Sequence, residues 1–124
     1  MTTQLHNAMN VNYIYVGPKG TTRNLGIFTS KAFKKGDYIF TLDRRFTRTT
    51  PTRESIQITA NEHVLDYFGG YMNHACFPNT TIERYEVIAA QDIEVTSELT
   101  FDYRTTEDKL ASPFVCECCR KEIK

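Results

Sequence analysis

Apolar residues along this chain fall in short runs rich in β-branched and aromatic side chains, separated by Gly, Asn, Asp and Lys. That punctuation suits short strands joined by tight turns. It predicts strands at Val11–Val16, Leu25–Thr29, Tyr38–Leu42, Ser55–Thr59 and Tyr85–Ala90, with a further short one at Leu99–Phe101. Phe33–Asp37 reads as a turn in which Gly36 supplies a backbone angle that other residues resist. Helical periodicity is weak. Its best stretch is Glu62–Phe68, and a turn is expected near Thr106–Ala111. Asp43–Arg53, with four Arg and four Thr, suits an exposed connection or edge. No internal repeat, low-complexity tract or linker is evident. The pattern predicts a mainly β fold with little helix.

Composition narrows the class. At 124 residues there is room for one domain with a modest core, and eight Phe and seven Tyr must supply much of its packing. The net charge of zero argues against a freestanding nucleic-acid binder that neutralises phosphates. Charge is nonetheless uneven. Residues 1–62 carry nine Lys/Arg against four Asp/Glu, and residues 63–124 carry six against eleven. An acidic second half would suit a basic peptide. The polar start, MTTQLHNAMN, is unlike a signal peptide, and no stretch approaches the ~20 apolar residues of a membrane span. A soluble, intracellular protein without membrane contact is expected. Three of the four Cys cluster at Cys116, Cys118 and Cys119, with Cys76 apart, which in such a protein favours metal or thiols over disulfides.

Three segments carry candidate chemistry. Tyr71-Met72-Asn73-His74-Ala75-Cys76-Phe77-Pro78-Asn79 gathers hydrogen-bonding groups beside a stiffening proline. A zinc deaminase would need Glu two residues after the His and a later Pro-Cys-x-x-Cys; Cys76 stands in that place and the second motif is absent. Glu98-Leu99-Thr100-Phe101-Asp102-Tyr103 alone is an ordinary strand end. Phe114-Val115-Cys116-Glu117-Cys118-Cys119 holds a Cys-x-Cys pair able to fill two tetrahedral zinc positions.

Their order is more specific than any one of them. NHACFPN, then ELTFDY, then F-x-C-x-C resembles the signature of SET-domain protein lysine methyltransferases, whose usual forms are NHSC-x-PN, EELTFDY and F-x-C-x-C-G. Gly26–Ile39 is similar to the family's opening, G-[VIL]-F-A-x-x-x-I-x-x-G-x-x-I. The resemblance implies a SET domain over residues 11–112 and a shortened post-SET-like tail over residues 113–124. It implies the β-clip fold of several small sheets, with a pseudo-knotted C-terminal segment that brings NHACFPN beside ELTFDY. It further implies methyl transfer from S-adenosylmethionine to a lysine amine of a protein substrate, histone or non-histone. Tyr103 takes the place of the catalytic Tyr, and Phe101 the position that tunes how many methyl groups are added. Gly26, Phe28, Tyr71, Asn73, His74 and Phe114 match cofactor-side positions, while Cys76, Cys116, Cys118 and Cys119 make a candidate zinc set.

The chain also departs from the family. Asn24 stands for the first Gly of a G-x-G loop, Gly70 for a frequent Arg, and Ser97 for the residue before ELTFDY. The tail lacks the residues that usually separate its second and third Cys, and adjacent Cys seldom reach one metal without strain. A catalytically silent SET module that binds peptide or cofactor is therefore the alternative. A small structural zinc domain would leave ELTFDY unexplained.

Overall fold

The computed structural model describes residues 12–19, 24–108, 110–111, 113–116 and 120–123. Its strands, in chain order, are β1 (Ile14–Pro18), β2 (Leu25–Thr29), β3 (Tyr38–Thr41), β4 (Thr47–Arg48), β5 (Ile56–Thr59), β6 (Glu62–Val64), β7 (Asn73–His74), β8 (Thr80–Glu83), β9 (Glu86–Ala89), β10 (Glu98–Phe101), β11 (Phe114–Val115) and β12 (Glu122–Ile123). They form four small sheets, ordered β1-β2-β10-β7, β3-β9-β8, β4-β6-β5 and β11-β12. Helix among the described residues is limited to 3-10 turns at Gly69–Tyr71 and Tyr103–Thr105. None is long and apolar enough to cross a membrane.

Strands β1, β2, β3, β5, β6, β9 and β10 send apolar side chains into one shared core. Ile27, Ile39, Phe40, Leu42, Val64, Val87 and Leu99 are each at most 1% exposed there. On β10, Leu99 and Phe101 enter the core while Glu98 and Thr100 are half-buried. On the outer face of β1 and β2, Tyr15 stacks on Phe28 with ring centroids 5.9 Å apart.

The structure contains a repeat that the sequence hides. Residues i and i+60 follow the same backbone course from Ser30–Phe40 to Ala90–Thr100. Phe33 and Ile93 exchange both backbone hydrogen bonds across the pseudo-twofold, at 2.9 and 2.8 Å. Gly36 donates to the Ala89 carbonyl at 2.8 Å, and Thr96 donates to that of Thr29 at 2.7 Å. Both turn residues have positive φ, +91° at Gly36 and +70° at Thr96. The triplet β1-β2-β10 thus mirrors β8-β9-β3. Side chains conceal this because the two copies share little beyond their buried positions.

Three expectations need correction. Glu62–Phe68 is not helical: Glu62–Val64 is β6, the middle strand between β4 and β5. Asp66 then opens the turn that leads into the 3-10 segment at Gly69–Tyr71. Its carboxylate accepts the Gly69 and Asp43 N–H groups, both at 2.7 Å, and closes a turn. The turn expected at Thr106–Ala111 begins earlier, with the 3-10 segment at Tyr103–Thr105, where Asp102 accepts the Arg104 N–H. The Asp43–Arg53 segment is indeed exposed over Arg44–Thr50 and contributes edge strand β4. The first strand lies at Ile14–Pro18 rather than Val11–Val16, and β8 directly follows NHACFPN.

Candidate active site

β10 is shared between two partners. Its first half pairs antiparallel with β2, through Glu98↔Phe28 and Leu99↔Ile27. Its second half pairs parallel with β7, through Thr100↔Asn73 and Phe101↔His74. A two-residue parallel pair is weak alone, so side chains reinforce it. Asn79 accepts the Thr100 N–H at 2.9 Å and donates to the Glu98 carbonyl at 2.7 Å, behaving as one more strand residue. The Thr80 hydroxyl donates to the Thr100 carbonyl at 2.7 Å. NHACFPN and ELTFDY are thereby fixed side by side.

The crossing floors a broad cleft of about 1240 Å³, whose lining includes Asn24, Asn73, Glu98, Phe101, Tyr103 and Phe114. The Asn73 amide donates to the Leu25 carbonyl at 3.0 Å and to Glu98 Oε2 at 2.7 Å. With Nδ2 so occupied, its Oδ1 remains as an acceptor. Gly26 lies directly beneath: a Cβ there would collide with the Glu98 carboxylate and come within 3.1 Å of Asn73 Nδ2. A larger residue there would push the Glu98 carboxylate off the Asn73 amide.

His74 orients Tyr103. Its side chain is 1% exposed, and Nδ1 accepts the Tyr103 N–H at 3.1 Å. Burial lowers its pKa, more than the nearby Asp102 raises it. The imidazole is therefore neutral, and because Nδ1 accepts, Nε2 carries the proton and faces Cys76 Sγ at 3.5 Å. Asp102, 3.5 Å from Nδ1, is held instead by Arg104.

Tyr103 lies among the aromatic side chains at the crossing. Its hydroxyl donates to the Met72 carbonyl at 2.6 Å. Burial, then the negative charges of Glu107 and Glu98, push its pKa up to about 12. It stays a neutral phenol, with its proton engaged and its lone pairs open as acceptors. Around it lie the rings of Phe101 at 4.9 Å, His74 at 5.3 Å and Phe114 at 5.9 Å. Such a wall desolvates an entering group.

Most of the expected residues converge. Gly26, Asn73, His74, Phe101, Tyr103 and Phe114 gather at the crossing, and Tyr71 lines the cleft, packed edge-on to Tyr67. Phe28 is different: it sits against Tyr15 and is not among the cleft's lining residues. Residue-by-residue reading missed Asn79, Glu98 and the Met72 carbonyl, although all three lie inside or beside the recognised motifs. A polar residue on a strand that otherwise feeds the core was the available signal.

Among the described residues, one group could hold a metal. His74, Cys76 and Cys116 offer ligand atoms within 4.8 Å of one another. The two sulfurs are 3.6 Å apart, close to the ~3.8 Å that tetrahedral Zn–S bonds of ~2.3 Å require. His74 is less suited, because its Nδ1 already accepts an N–H and Nε2 holds the proton a metal would displace. Cys118 and Cys119 lie outside the described residues.

The family model for the SET domain matches residues 24–104. The chain belongs to the SET-domain family. No curated protein sequence matches it. Among solved structures, KRYPTONITE in complex with mCHH DNA, H3(1–15) peptide and SAH superposes with a TM-score of 0.67 at 20% identity, covering 88% of this chain and 29% of that one. Chaetomium thermophilum Polycomb Repressive Complex 2, bound to S-adenosylmethionine in an autoinhibited conformation, gives 0.63 at 14% identity, over 90% and 19% of the two chains. A Plasmodium falciparum protein described as a candidate histone methyltransferase gives 0.56 at 21%, over 73% of this chain and 96% of that one. At these identities the likenesses establish the SET fold. This SET domain spans under a third of the KRYPTONITE and Polycomb chains but nearly all of the Plasmodium one.

Proposed function

We propose that this SET domain is a protein lysine N-methyltransferase that uses S-adenosylmethionine. The observation that carries the reading is the Tyr103 hydroxyl, pinned by Met72 inside an aromatic wall beside the Asn73–His74 strand. S-adenosylmethionine supplies a methyl group on a positively charged sulfur. The lysine amine must attack it unprotonated, although free lysine has a pKa of about 10.4. The rings of Phe101, Phe114, His74 and Tyr103 remove water and lower that value. Tyr103 cannot serve as base at neutral pH, since its own pKa is about 12. Its role is positional: the oxygen accepts an N–H of the amine and aims the lone pair. Gly26 and Asn73 form the cofactor cradle. Phe101 has no hydroxyl to retain a water, which leaves room for a methylated amine.

The substrate is a lysine-bearing peptide of an intracellular protein, histone or non-histone, and the acidic second half suits a basic one. Zinc held by Cys76 and Cys116, completed by Cys118 and Cys119, would tie the tail to NHACFPN and steady Phe114. Metal analysis of protein purified without chelator should find about one zinc per chain, and Cys76→Ser should remove it. Calorimetry with S-adenosylmethionine, followed by labelled-methyl transfer to a lysine peptide panel, tests the central reading. Binding and transfer are expected. Tight binding without transfer to any peptide would favour the silent module instead, and absence of cofactor binding would defeat the enzyme reading.

A further inference from the structure

Strand β5 pairs with β6 along one edge, and at Gln57 its other edge meets the chain that follows Tyr103. The Gln57 N–H donates to Glu107 Oε2 at 2.8 Å, its Nε2 donates to Asp108 Oδ2 at 2.7 Å, and its Oε1 accepts the Asp108 N–H at 2.8 Å. The Thr106 hydroxyl reaches the same Glu107 oxygen at 2.8 Å. Gln57 is 7% exposed, so these partners stand where a surface amide would have water. Glu107 leads back to the tyrosine. Its own N–H donates to the Tyr103 carbonyl at 2.9 Å, while His74 Nδ1 accepts the Tyr103 N–H from the other side. Both ends of the clamp border the cleft: Ser55 and Ile56, which adjoin Gln57, line it, and so do Tyr103 and Glu107. Among the described residues no strand of β4-β6-β5 pairs with another sheet. Core packing and side-chain bonds therefore set its distance from Tyr103.

We infer that Gln57 is a positioning residue for methyl transfer, which fastens Glu107 and Asp108 to the edge of β5 and so fixes Tyr103 from its C-terminal side. Gln57 does not line the cleft and acts only through Glu107 and Asp108. The inference rests on the proposed methyltransferase reading and adds to it a clamp remote from the motifs. Transfer needs the amine, the methyl group and the Tyr103 oxygen in register, and small displacements of such a group are costly. Opening the clamp should therefore slow the chemical step while leaving the cofactor bound as before.

The test breaks the clamp and then rebuilds it with reversed polarity. Gln57→Glu keeps the side-chain shape and the main-chain bond but sets a carboxylate against Asp108. It should lower kcat by roughly tenfold and change KM for S-adenosylmethionine less than about twofold. Calorimetric titration with S-adenosylhomocysteine, at one ligand per chain, shows that the loss does not come from an unfolded fraction. The double variant Gln57→Glu/Asp108→Asn restores a donor opposite an acceptor and should bring kcat back to within about threefold of wild type. Asp108→Ala opens one bond of the clamp from an exposed position, and should lower kcat by about threefold even where Gln57→Glu does not fold. Unchanged kcat in Asp108→Ala and Gln57→Glu would overturn the inference. Failure of the double variant to recover would also overturn it, since the loss would then come from a buried charge and not from the broken clamp. Absence of transfer by wild type to any peptide would defeat the methyltransferase reading and this inference with it, whereas an active wild type with unaffected variants defeats the inference alone.

Discussion

The two halves of the pseudo-twofold share a backbone and differ in what lies beside it. In one, β3 pairs with β9 alone and delivers Phe40 and Ile39 to the core. In the other, β10 pairs with β2 and then gains β7 on its far edge. Thr41 and Phe101 are equivalents sixty residues apart, yet Thr41 bonds the Tyr38 hydroxyl while Phe101 packs on Tyr103. The loop that follows each strand even uses the same device: Asp43 clasps Arg45 as Asp102 clasps Arg104. The hairpin geometry is therefore a scaffold, neutral as to chemistry. The site arises where a parallel strand is added and brings His74 and the Met72 carbonyl against the chain end.

The largest expected effect sets one Tyr against another. Tyr103→Phe should lower methyl transfer by roughly 100-fold or more, with S-adenosylmethionine affinity changed less than about twofold. Tyr38→Phe removes a tyrosine hydroxyl bond within β3 of the other half, 2.6 Å to Thr41, and should leave transfer unchanged while costing at most about 1 kcal/mol of stability. Initial-rate assays paired with calorimetry distinguish the two. Comparable losses in both variants would mean that the halves are not functionally distinct.

Next comes the reinforcement that only β10 receives. Asn79→Ala strips partners from the Thr100 N–H and the Glu98 carbonyl and should cost about 2–4 kcal/mol in urea unfolding. Tyr103, anchored through Met72 and His74, would lose its footing in the same variant. A stability change below about 0.5 kcal/mol would show that β7 holds β10 unaided.

This stitching explains what the sequence could and could not reveal. Strands with clear alternation, such as β2 and β9, were legible, as was the turn at Gly36. The motif residues Asn73, His74, Phe101 and Tyr103 were legible through resemblance. β7 was not: two residues carry no periodicity, and its partner lies 27 positions away in the Asn73↔Thr100 register. The repeat was hidden because Gly36 and Thr96 reach positive φ with different side chains. The error at Glu62–Phe68 has a single cause: Glu62–Val64 is paired on both edges, with β4 and β5, and distant partners leave no trace in local periodicity.

The pH dependence tests the state of the added site. Transfer should rise about tenfold per pH unit from roughly pH 7 to pH 9, as the substrate lysine loses its proton. No descending limb is expected in that range, because Tyr103 ionises only near 12 and His74, its pKa lowered by burial, is already neutral. Rates measured with saturating cofactor in matched-ionic-strength buffers provide the check. A downturn between pH 8 and 9 would mean that Tyr103 is more exposed than its bond to Met72 implies.

The smallest effect concerns the residue that differs most between the halves in surroundings but not in backbone. Phe101 is 3% exposed, and its ring touches that of Tyr103. Phe101→Tyr adds one hydroxyl where the lysine amine would sit. That hydroxyl can hold a water by hydrogen bond and occupy the volume a second methyl group needs. The expected result is a product distribution shifted toward monomethyl-lysine, read by mass spectrometry, with the first transfer slowed less than about threefold. Thr41→Ser, at the equivalent position of β3, should leave the distribution untouched. An unchanged distribution in Phe101→Tyr would place the amine away from this ring and move the lysine path toward Phe114.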